Sequence, residues 1–250
     1  MFLLEGKQML EIACMVEGGV KSPKNDDRAA VNKKLVTQGI YSEISETTCL
    51  VVICDGVGGE AFGNEAAGIV TDIFSRLSGT ALTADLINQY IAKANEAVVA
   101  AQQTDFYHSK MSTTIAGLYI NGDDYIAFNV GDSRIYRYRS YISQISKDHS
   151  IRQEQIDLGL EPKPGQENII THYIGSKFAI PEIVEGIGRV FHNDIYILCT
   201  DGVWGVLGDD DFERILSEKN KIEEACRALV DLALKNESQD NLSVIIVKKV

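Results

Sequence analysis

Positive charge is scarce in this chain of 250 residues. Its 24 lysines and arginines are outnumbered by 36 aspartates and glutamates, so the formal net charge at pH 7 is −12. Such an excess of negative charge repels nucleic acid and anionic lipid head groups. The composition therefore argues against nonspecific nucleic-acid binding and against docking on a membrane, and we expect neither kind of partner.

Long apolar runs and paired cysteines are also missing. No apolar stretch approaches the ~20 residues that a membrane-spanning helix needs. The first residues, Met-Phe-Leu-Leu-Glu-Gly-Lys, lack the basic segment and the cleavage site of a signal peptide. The cysteines are odd in number and include no Cys-x-x-Cys pair: Cys14, Cys49, Cys54, Cys199 and Cys226. A reducing cytoplasm is the expected location.

The chain has no proline- or serine-rich linker, no low-complexity tract and no repeat of fixed period. Apolar residues make up 45% of it, which is enough to bury a large core. The length allows one large domain or two small ones. Because no segment marks a boundary, we expect a single domain over residues 1–250. We also expect a monomer.

Strands and helices follow one another in blocks rather than in strict alternation. Short apolar runs predict strands at 12–16, 29–31, 35–40, 49–54, 113–120, 125–130, 134–138, 141–145, 194–199 and 242–247. Helical periodicity predicts helices at 61–77, 83–103, 209–217 and 222–235. The turn Asn121-Gly122-Asp123 predicts a hairpin. These blocks predict an α+β fold of mainly antiparallel sheets with paired helices outside.

Residues 148–190 are the least regular part of the chain. They contain three of the four prolines, at 162, 164 and 181, and glycines at 159, 165 and 175. Irregular segments of this length are often functional loops over a rigid scaffold. We therefore expect a flexible flap at about 150–190.

Three aspartates stand next to buried strands, and each is followed by glycine or asparagine. Asp55 and Asp201 follow apolar runs, and Asp240 precedes one. A carboxylate at the mouth of a buried strand is costly to desolvate unless a positive charge neutralises it. Three converging carboxylates would repel one another, and a hard divalent cation with oxygen ligands removes that repulsion. The pattern indicates a metal site.

The alternative is that these aspartates belong to turns. Asp-Gly and Asp-Asn are common turn dipeptides, and any one of the three taken alone favours a turn over a ligand. The acidic pair Asp26-Asp27 and a further aspartate, Asp132, shift the balance toward metal. The fold still has to bring these residues together.

Seven short segments resemble, in order, the motifs of one enzyme family. They are Asn25-Asp26-Asp27-Arg28, Asp55-Gly56-Val57-Gly58-Gly59, Met111-Ser112-Thr113-Thr114, Gly131-Asp132-Ser133-Arg134, Asp148-His149-Ser150, Thr200-Asp201-Gly202 and Asp240-Asn241. The chain is similar over nearly its whole length to the metal-dependent protein phosphatases of the PPM (type 2C) family. The forms of its second and fourth motifs resemble the bacterial branch.

This resemblance implies a fold and an activity. The fold is an αββα sandwich, in which two mainly antiparallel sheets are flanked by helices. The activity is the hydrolysis of phosphoserine and phosphothreonine in proteins, through a metal-activated water at a binuclear Mn²⁺ or Mg²⁺ centre. The implied partners are phosphorylated proteins, the substrates of a partner protein kinase.

The resemblance also implies ligands for two metal ions. Asp55 would bridge both ions, and Asp201 and Asp240 would complete the protein ligands of the first. The second ion would take the carbonyl oxygen of Gly56 and, directly or through water, Asp26. These residues carry catalysis through the water that they hold in place.

A third ion, held by Asp132 together with Asp201, is implied as well. The alternative for Asp132 is a structural aspartate that pairs with Arg134. Asp27 is expected to orient ligand waters, and Thr114 and Asn241 are expected to support the site through hydrogen bonds. His149 has two interpretations, a proton donor or a structural residue at the start of a helix, and the second is favoured.

One departure from the family concerns the substrate phosphate. The family's phosphate-binding arginine falls on Ser22 in this chain. Lys21 or Lys24 could supply the charge, although a lysine lacks the bidentate fork of a guanidinium. This departure motivates a rival function, a non-catalytic adapter that binds phosphoprotein or metal. The retained aspartates at 55, 201 and 240 weigh against that rival.

Overall fold

The computed structural model describes residues 8–20, 24–57, 62–104, 106–166 and 169–250. Its largest elements are two six-stranded antiparallel sheets. The first sheet contains β1 (Leu10–Glu17), β4 (Gly39–Ser45), β10 (Arg134–Tyr138), β11 (Ile142–Gln144), β13 (Ile195–Cys199) and β14 (Leu242–Lys249), in the spatial order β11-β10-β13-β14-β1-β4. The second contains β2 (Arg28–Val31), β3 (Lys34–Val36), β5 (Thr48–Cys54), β8 (Ile115–Asn121), β9 (Asp124–Val130) and β12 (Glu182–Gly186), in the order β12-β9-β8-β5-β2-β3. A short ribbon pairs β6 (Gly56–Val57) with β7 (Ser112–Thr113).

The helices lie on the outer faces of the two sheets. α1 (Gly63–Ser75) and α2 (Ala84–Gln102) cover the second sheet, and α4 (Asp201–Trp204), α5 (Asp209–Glu218) and α6 (Ile222–Lys235) cover the first. α3 (Ile151–Asp157) and a 3₁₀ turn at Tyr107–Lys110 complete the helical part of the described chain. In these described residues no helix is both long enough and apolar enough to cross a membrane.

The side chains of each strand point alternately to its two faces, which produces four layers: helices, two sheets and helices. In β1, Ile12 and Cys14 face the core between the two sheets, while Ala13 and Met15 face the helices of the first sheet. Successive side chains of a strand point to opposite faces, so a strand with apolar residues at every position is buried on both sides. The predicted αββα sandwich of mainly antiparallel sheets is confirmed.

Two local predictions need correction. The segment 35–40 is not one strand, because the chain bends at 37–38 and Gly39 adopts a positive φ of 82°. That bend carries the chain from β3 in the second sheet to β4 in the first. The irregular segment 148–190 contains α3, whose first turn is capped by Ser150 Oγ accepting from Gln153 N–H at 3.2 Å, and the edge strand β12.

The topology brings the predicted motifs to one end of the sandwich. β5, β9 and β13 end there. β2, which pairs with β5, begins there, and so do β10 and β14, which both pair with β13. Arg28 pairs with Cys54 across β2 and β5, and Cys199 pairs with Val244 across β13 and β14. The residues just beyond these strand ends therefore form one surface.

Candidate metal centre

Asp55 is held in place by its backbone. It follows β5, and its N–H donates to Thr114 Oγ1 at 3.1 Å. Its carbonyl oxygen accepts from Thr114 N–H at 2.9 Å and from Thr113 Oγ1 at 2.7 Å. Thr114 Oγ1 also lies 2.7 Å from Ser133 Oγ. Because both of its peptide groups are bound, the backbone position of Asp55 is set by the two threonines.

Asp201 and Asp240 are brought together by a close contact between their loops. Asp201 begins α4, and Asp240 lies two residues before β14. A Cβ atom on Gly202 would be only 1.9 Å from the carbonyl oxygen of Asn241, so only glycine fits there. Ser238 Oγ donates to the carbonyl oxygen of Gly202 at 2.7 Å. Asp201 and Asp240 both line a polar cavity of about 260 Å³.

Asp26 caps the first helix. Its Oδ1 accepts from the backbone N–H of Asn64 in the first turn of α1 at 3.1 Å, and its own N–H donates to Asn241 Oδ1 at 2.8 Å. A carboxylate at a helix N-terminus satisfies an otherwise unpaired donor and interacts favourably with the helix dipole. Gly56 lies against this corner, where a Cβ atom would be 2.7 Å from the carbonyl oxygen of Asp26.

Asp27 is buried between the two sheets at the same end. Its Oδ2 accepts from Thr200 Oγ1 at 3.0 Å, and Thr200 Oγ1 accepts from the backbone N–H of Ser243 at 3.2 Å. Burial raises the pKa of Asp27 to about 7, the Ser243 and Thr200 hydroxyls lower it, and the charges of Asp201 and Asp240 raise it further. Asp27 thus connects the second sheet to the segments of the first that contain Thr200 and Ser243.

Asp132 lies in the loop between β9 and β10 and is only 5% exposed. Its pKa is raised to about 7, first by burial and then by the charge of Asp201. Arg134 forms its ion pair with Asp148 and, within the described residues, none with Asp132. The pairing that was the alternative role of Asp132 is therefore not found.

His149 holds the loop that carries Asp132. Its Nδ1 accepts from the backbone N–H of Gly131 at 3.1 Å, and its own backbone N–H donates to the Gly131 carbonyl oxygen at 2.9 Å. Gly131 has a positive φ of 114°. Burial lowers the pKa of His149 to about 4, and the neighbouring His172 lowers it further. Through this hydrogen bond the neutral imidazole holds the backbone of Gly131, which supports the favoured interpretation of His149 as a structural residue.

The carboxylates influence one another strongly. Burial raises the pKa of Asp55 well above its ordinary value, and the charges of Asp27, Asp201, Asp240 and Asp132 raise it further, in that order. Like charges this close cannot all ionise without a compensating cation. The predicted aspartates are therefore neighbours in space and not separate turns.

The pKa of Asp201 is raised in the same way, by burial and by a neighbouring carboxylate. Its pKa is raised by burial and by the charge of Asp240, and lowered by a hydrogen bond with Asp55. One of its oxygens, Oδ1, is buried and has no hydrogen-bond partner. A buried oxygen without a partner is rare in folded proteins, because it loses its hydration without replacement.

The donor chemistry of these side chains fits a hard divalent cation. All the donors are oxygen atoms, and a cation would offset the cost of burying several carboxylates side by side. As the side chains stand, no three acidic, histidine or cysteine residues in the described part of the chain form a set that could hold an ion. The side chains of Asp55 and Asp201 hydrogen-bond to each other.

The structure brings nearly all the predicted site residues to this end. They are Lys24, Asp26, Asp27, Asp55, Gly56, Thr114, Asp132, Asp201, Asp240 and Asn241. Lys24 Nζ lies 3.4 Å from Asp26 Oδ1. The predictions for Lys21 and Ser22 lie outside the described residues.

Sequence reasoning missed several supporting residues. Thr200 and Thr113 hydrogen-bond to Asp27 and to the backbone of Asp55. Both threonines lie in the motifs that resemble the family, each directly before a predicted site residue. That position could have identified them as supporting residues. Trp204 was also missed; its ring lies 3.6 Å from the guanidinium carbon of Arg134.

Comparison with known proteins finds relatives that match nearly the whole chain. The Listeria monocytogenes serotype 4b serine/threonine phosphatase stp is 23% identical over 236 residues, which cover 89% of this chain and 93% of that protein. The crystal structure of serine/threonine phosphatase Stp1 from Staphylococcus aureus is 27% identical, with a TM-score of 0.83 and coverage of 96% of this chain and 94% of the other. The catalytic domain of serine/threonine protein phosphatase PstP, solved with two manganese ions, has the same fold at 23% identity, with a TM-score of 0.80 and coverage of 97% and 99%.

An αββα sandwich with acidic side chains gathered at one end of its sheets is the architecture expected of a metal-dependent phosphatase. The sequence profile of the family described as Protein phosphatase 2C matches residues 37–243. Since this match spans well over half of the chain, the protein belongs to the Protein phosphatase 2C family.

Proposed function

We propose that this protein is a metal-dependent protein serine/threonine phosphatase whose active site is the acidic end of the sandwich. The observation that carries the proposal is the convergence of Asp55, Asp201 and Asp240 from three strand ends of two sheets. Family membership and the phosphatase names of the relatives support the reaction class. Its substrates are phosphorylated proteins.

The proposed cofactor is Mn²⁺ or Mg²⁺, and the manganese ions bound to PstP support this choice. When bound, such ions lower the pKa of a water molecule so that it can attack phosphorus at neutral pH. We propose that Asp55, Asp201 and Asp240, with the Gly56 carbonyl and Asp26, hold two ions. Asp132 and Asp201 would hold a third.

The remaining residues of the site have positioning roles in this proposal. Thr113 and Thr114 hold the backbone of Asp55, and Thr200 holds Asp27. Asn241 binds the backbone of Asp26 and so connects the loop before β14 to the loop before β2. Buried hydroxyl and amide groups with fixed partners keep the carboxylates in place without adding charge.

We propose that the substrates come from a partner protein kinase, and that the enzyme works in the cytoplasm as a monomer of one domain without a membrane partner. We also propose that Lys21 or Lys24 takes the place of the arginine that is missing at Ser22.

The deciding experiment is the release of phosphate by the purified chain. With Mn²⁺ present, we expect hydrolysis of p-nitrophenyl phosphate and of phosphoserine and phosphothreonine peptides, loss of activity with EDTA, and recovery on renewed addition of Mn²⁺. The rival adapter function predicts phosphopeptide binding without turnover. Absence of turnover at saturating Mn²⁺ and Mg²⁺, with binding retained, would establish the rival.

A further inference from the structure

Arg134 is the centre of a network beside the candidate metal centre. Its Nε and Nη2 form a two-pronged ion pair with Asp148, at 3.0 Å and 2.7 Å, and its Nη1 donates to Tyr136 Oη at 3.1 Å. Its guanidinium carbon lies 3.6 Å from the centre of the Trp204 ring. Asp148 also accepts from Gln144 Nε2 at 2.8 Å. The side chains of Arg134 and Asp148 are only 15% and 7% exposed.

This network joins three segments that carry or hold predicted ligands. Arg134 begins β10, two residues after Asp132. Trp204 ends α4, whose first residue is Asp201. Asp148 precedes His149, the residue that binds both backbone groups of Gly131. The Arg134 guanidinium therefore contacts both α4, which begins with Asp201, and Asp148, which precedes the histidine that holds the loop of Asp132.

We propose that Arg134 is a positioning residue of the metal centre, which sets the placement of Asp201 relative to Asp132 by binding Asp148 and stacking on Trp204 at the same time. This inference rests on the proposed function. A guanidinium can do both, since its planar fork binds a carboxylate with two donors while its face stacks on a ring. A lysine at this position would keep the charge but lose one of the two contacts.

The chain offers a matched control in Arg139. Its Nε and Nη2 bind Asp194 at 2.6 Å and 2.7 Å, and its guanidinium carbon lies 4.4 Å from the centre of the Phe191 ring. A paired carboxylate and a stacked ring thus also occur together at the opposite end of the sandwich, where β10 ends and β13 begins. Arg139→Lys breaks the same chemistry far from the candidate centre.

The experiment compares wild type, Arg134→Lys and Arg139→Lys as full-length proteins. Calorimetry with Mn²⁺ alone measures each metal affinity, thermal unfolding measures stability, and p-nitrophenyl phosphate hydrolysis provides kcat and KM. For Arg134→Lys we expect a loss of about tenfold or more in the affinity of the weakest Mn²⁺ site, the usual effect of losing a residue that orients ligands. Its kcat should fall with KM little changed. Arg139→Lys should match wild type in Mn²⁺ affinity and kcat, even where its Tm is lower.

The inference is overturned if Arg134→Lys binds Mn²⁺ as wild type does and loses no more kcat than Arg139→Lys. Trp204→Leu provides a second variant should Arg134→Lys fail to fold. It removes only the stacked ring, and unchanged Mn²⁺ affinities in it would equally overturn the inference. If wild type releases no phosphate, the proposed function fails, while the calorimetric comparison still decides the role of Arg134.

Discussion

At the scale of single residues, the carboxylates carry the proposed chemistry. Asp55→Asn or Asp240→Asn removes a negative ligand with little change in volume, so the fold should persist while metal binding is lost. We expect hydrolysis of p-nitrophenyl phosphate to fall by at least ~10³-fold, about 4 kcal/mol of transition-state stabilisation. Circular dichroism and Tm serve as controls. Near-normal rates in either variant at saturating Mn²⁺ would contradict the two-ion assignment.

His149 provides a prediction about acid stability. Its pKa in the folded protein is lowered to about 4 from the ordinary 6.5, because it is largely buried and faces His172. Between these two values the unfolded chain binds a proton that the folded chain does not. The free energy of unfolding should therefore fall as the pH drops from about 6.5 to about 4, and this contribution should be constant above pH 7.

The test is urea unfolding of wild type and His149→Asn across this pH range. The asparagine can keep an acceptor for the Gly131 N–H without titrating, so the loss of stability on acidification should be shallower than in wild type. His192→Asn, on an exposed loop, is the control and should follow wild type. Parallel pH profiles for His149→Asn and wild type would show that His149 does not titrate as described.

At the scale of elements, the contact between α4 and the loop before β14 sets the position of two predicted ligands. In Gly202→Ala the new methyl group would meet the Asn241 carbonyl oxygen at 1.9 Å, so α4 must move away from that loop. We expect a loss of about 1–3 kcal/mol in stability. Weaker Mn²⁺ binding should accompany it, because Asp201 and Asp240 are separated.

Gly68→Ala is the matched control for this prediction. Gly68 lies in α1, and apart from the backbone of that helix and the two neighbouring residues, no atom lies within 4 Å of the position of an added Cβ. There the substitution should stabilise the protein by about 0.5–1 kcal/mol, since glycine is a poor residue inside a helix. Unfolding curves and Mn²⁺ titrations of both variants measure the difference. Gly202→Ala with wild-type stability and Mn²⁺ affinity would refute the close contact.

At the scale of the whole molecule, metal binding and folding should be coupled. The carboxylates come from both sheets, so the ions would bind the folded chain and not the unfolded one. At a Mn²⁺ concentration 100 times the Kd the expected gain is about 2.7 kcal/mol, a rise in Tm of about 5–10 °C for a chain of this size. Differential scanning calorimetry measures it. Asp55→Asn should lose this shift, and an undiminished shift in that variant would place the ions elsewhere.

Much of the architecture was predictable because its signals are local. β5 and β14 contain uninterrupted apolar runs at 49–54 and 244–247, and Gly122, with a positive φ of 63°, lies in the turn of the hairpin between β8 and β9. The bend at 37–38 was missed although Gln38 and Gly39 interrupt the apolar residues there. Strand residues lie on both sides of it, and only the tertiary structure shows that they belong to different sheets. α4 was missed because its four residues are too few to show a helical period.

The sequence by itself determined which residues could be ligands. Asp55, Asp201 and Asp240 each adjoin a strand, and the motifs around them have the composition and order of the Protein phosphatase 2C family. Only the tertiary structure decided which groups support them. Arg134 pairs with Asp148 and not with Asp132, Asp26 caps α1, and Thr200 reaches Asp27 across 173 residues of sequence. Such pairings depend on how two antiparallel sheets stack, and spacing along the chain does not encode the distance between residues that different sheets bring together.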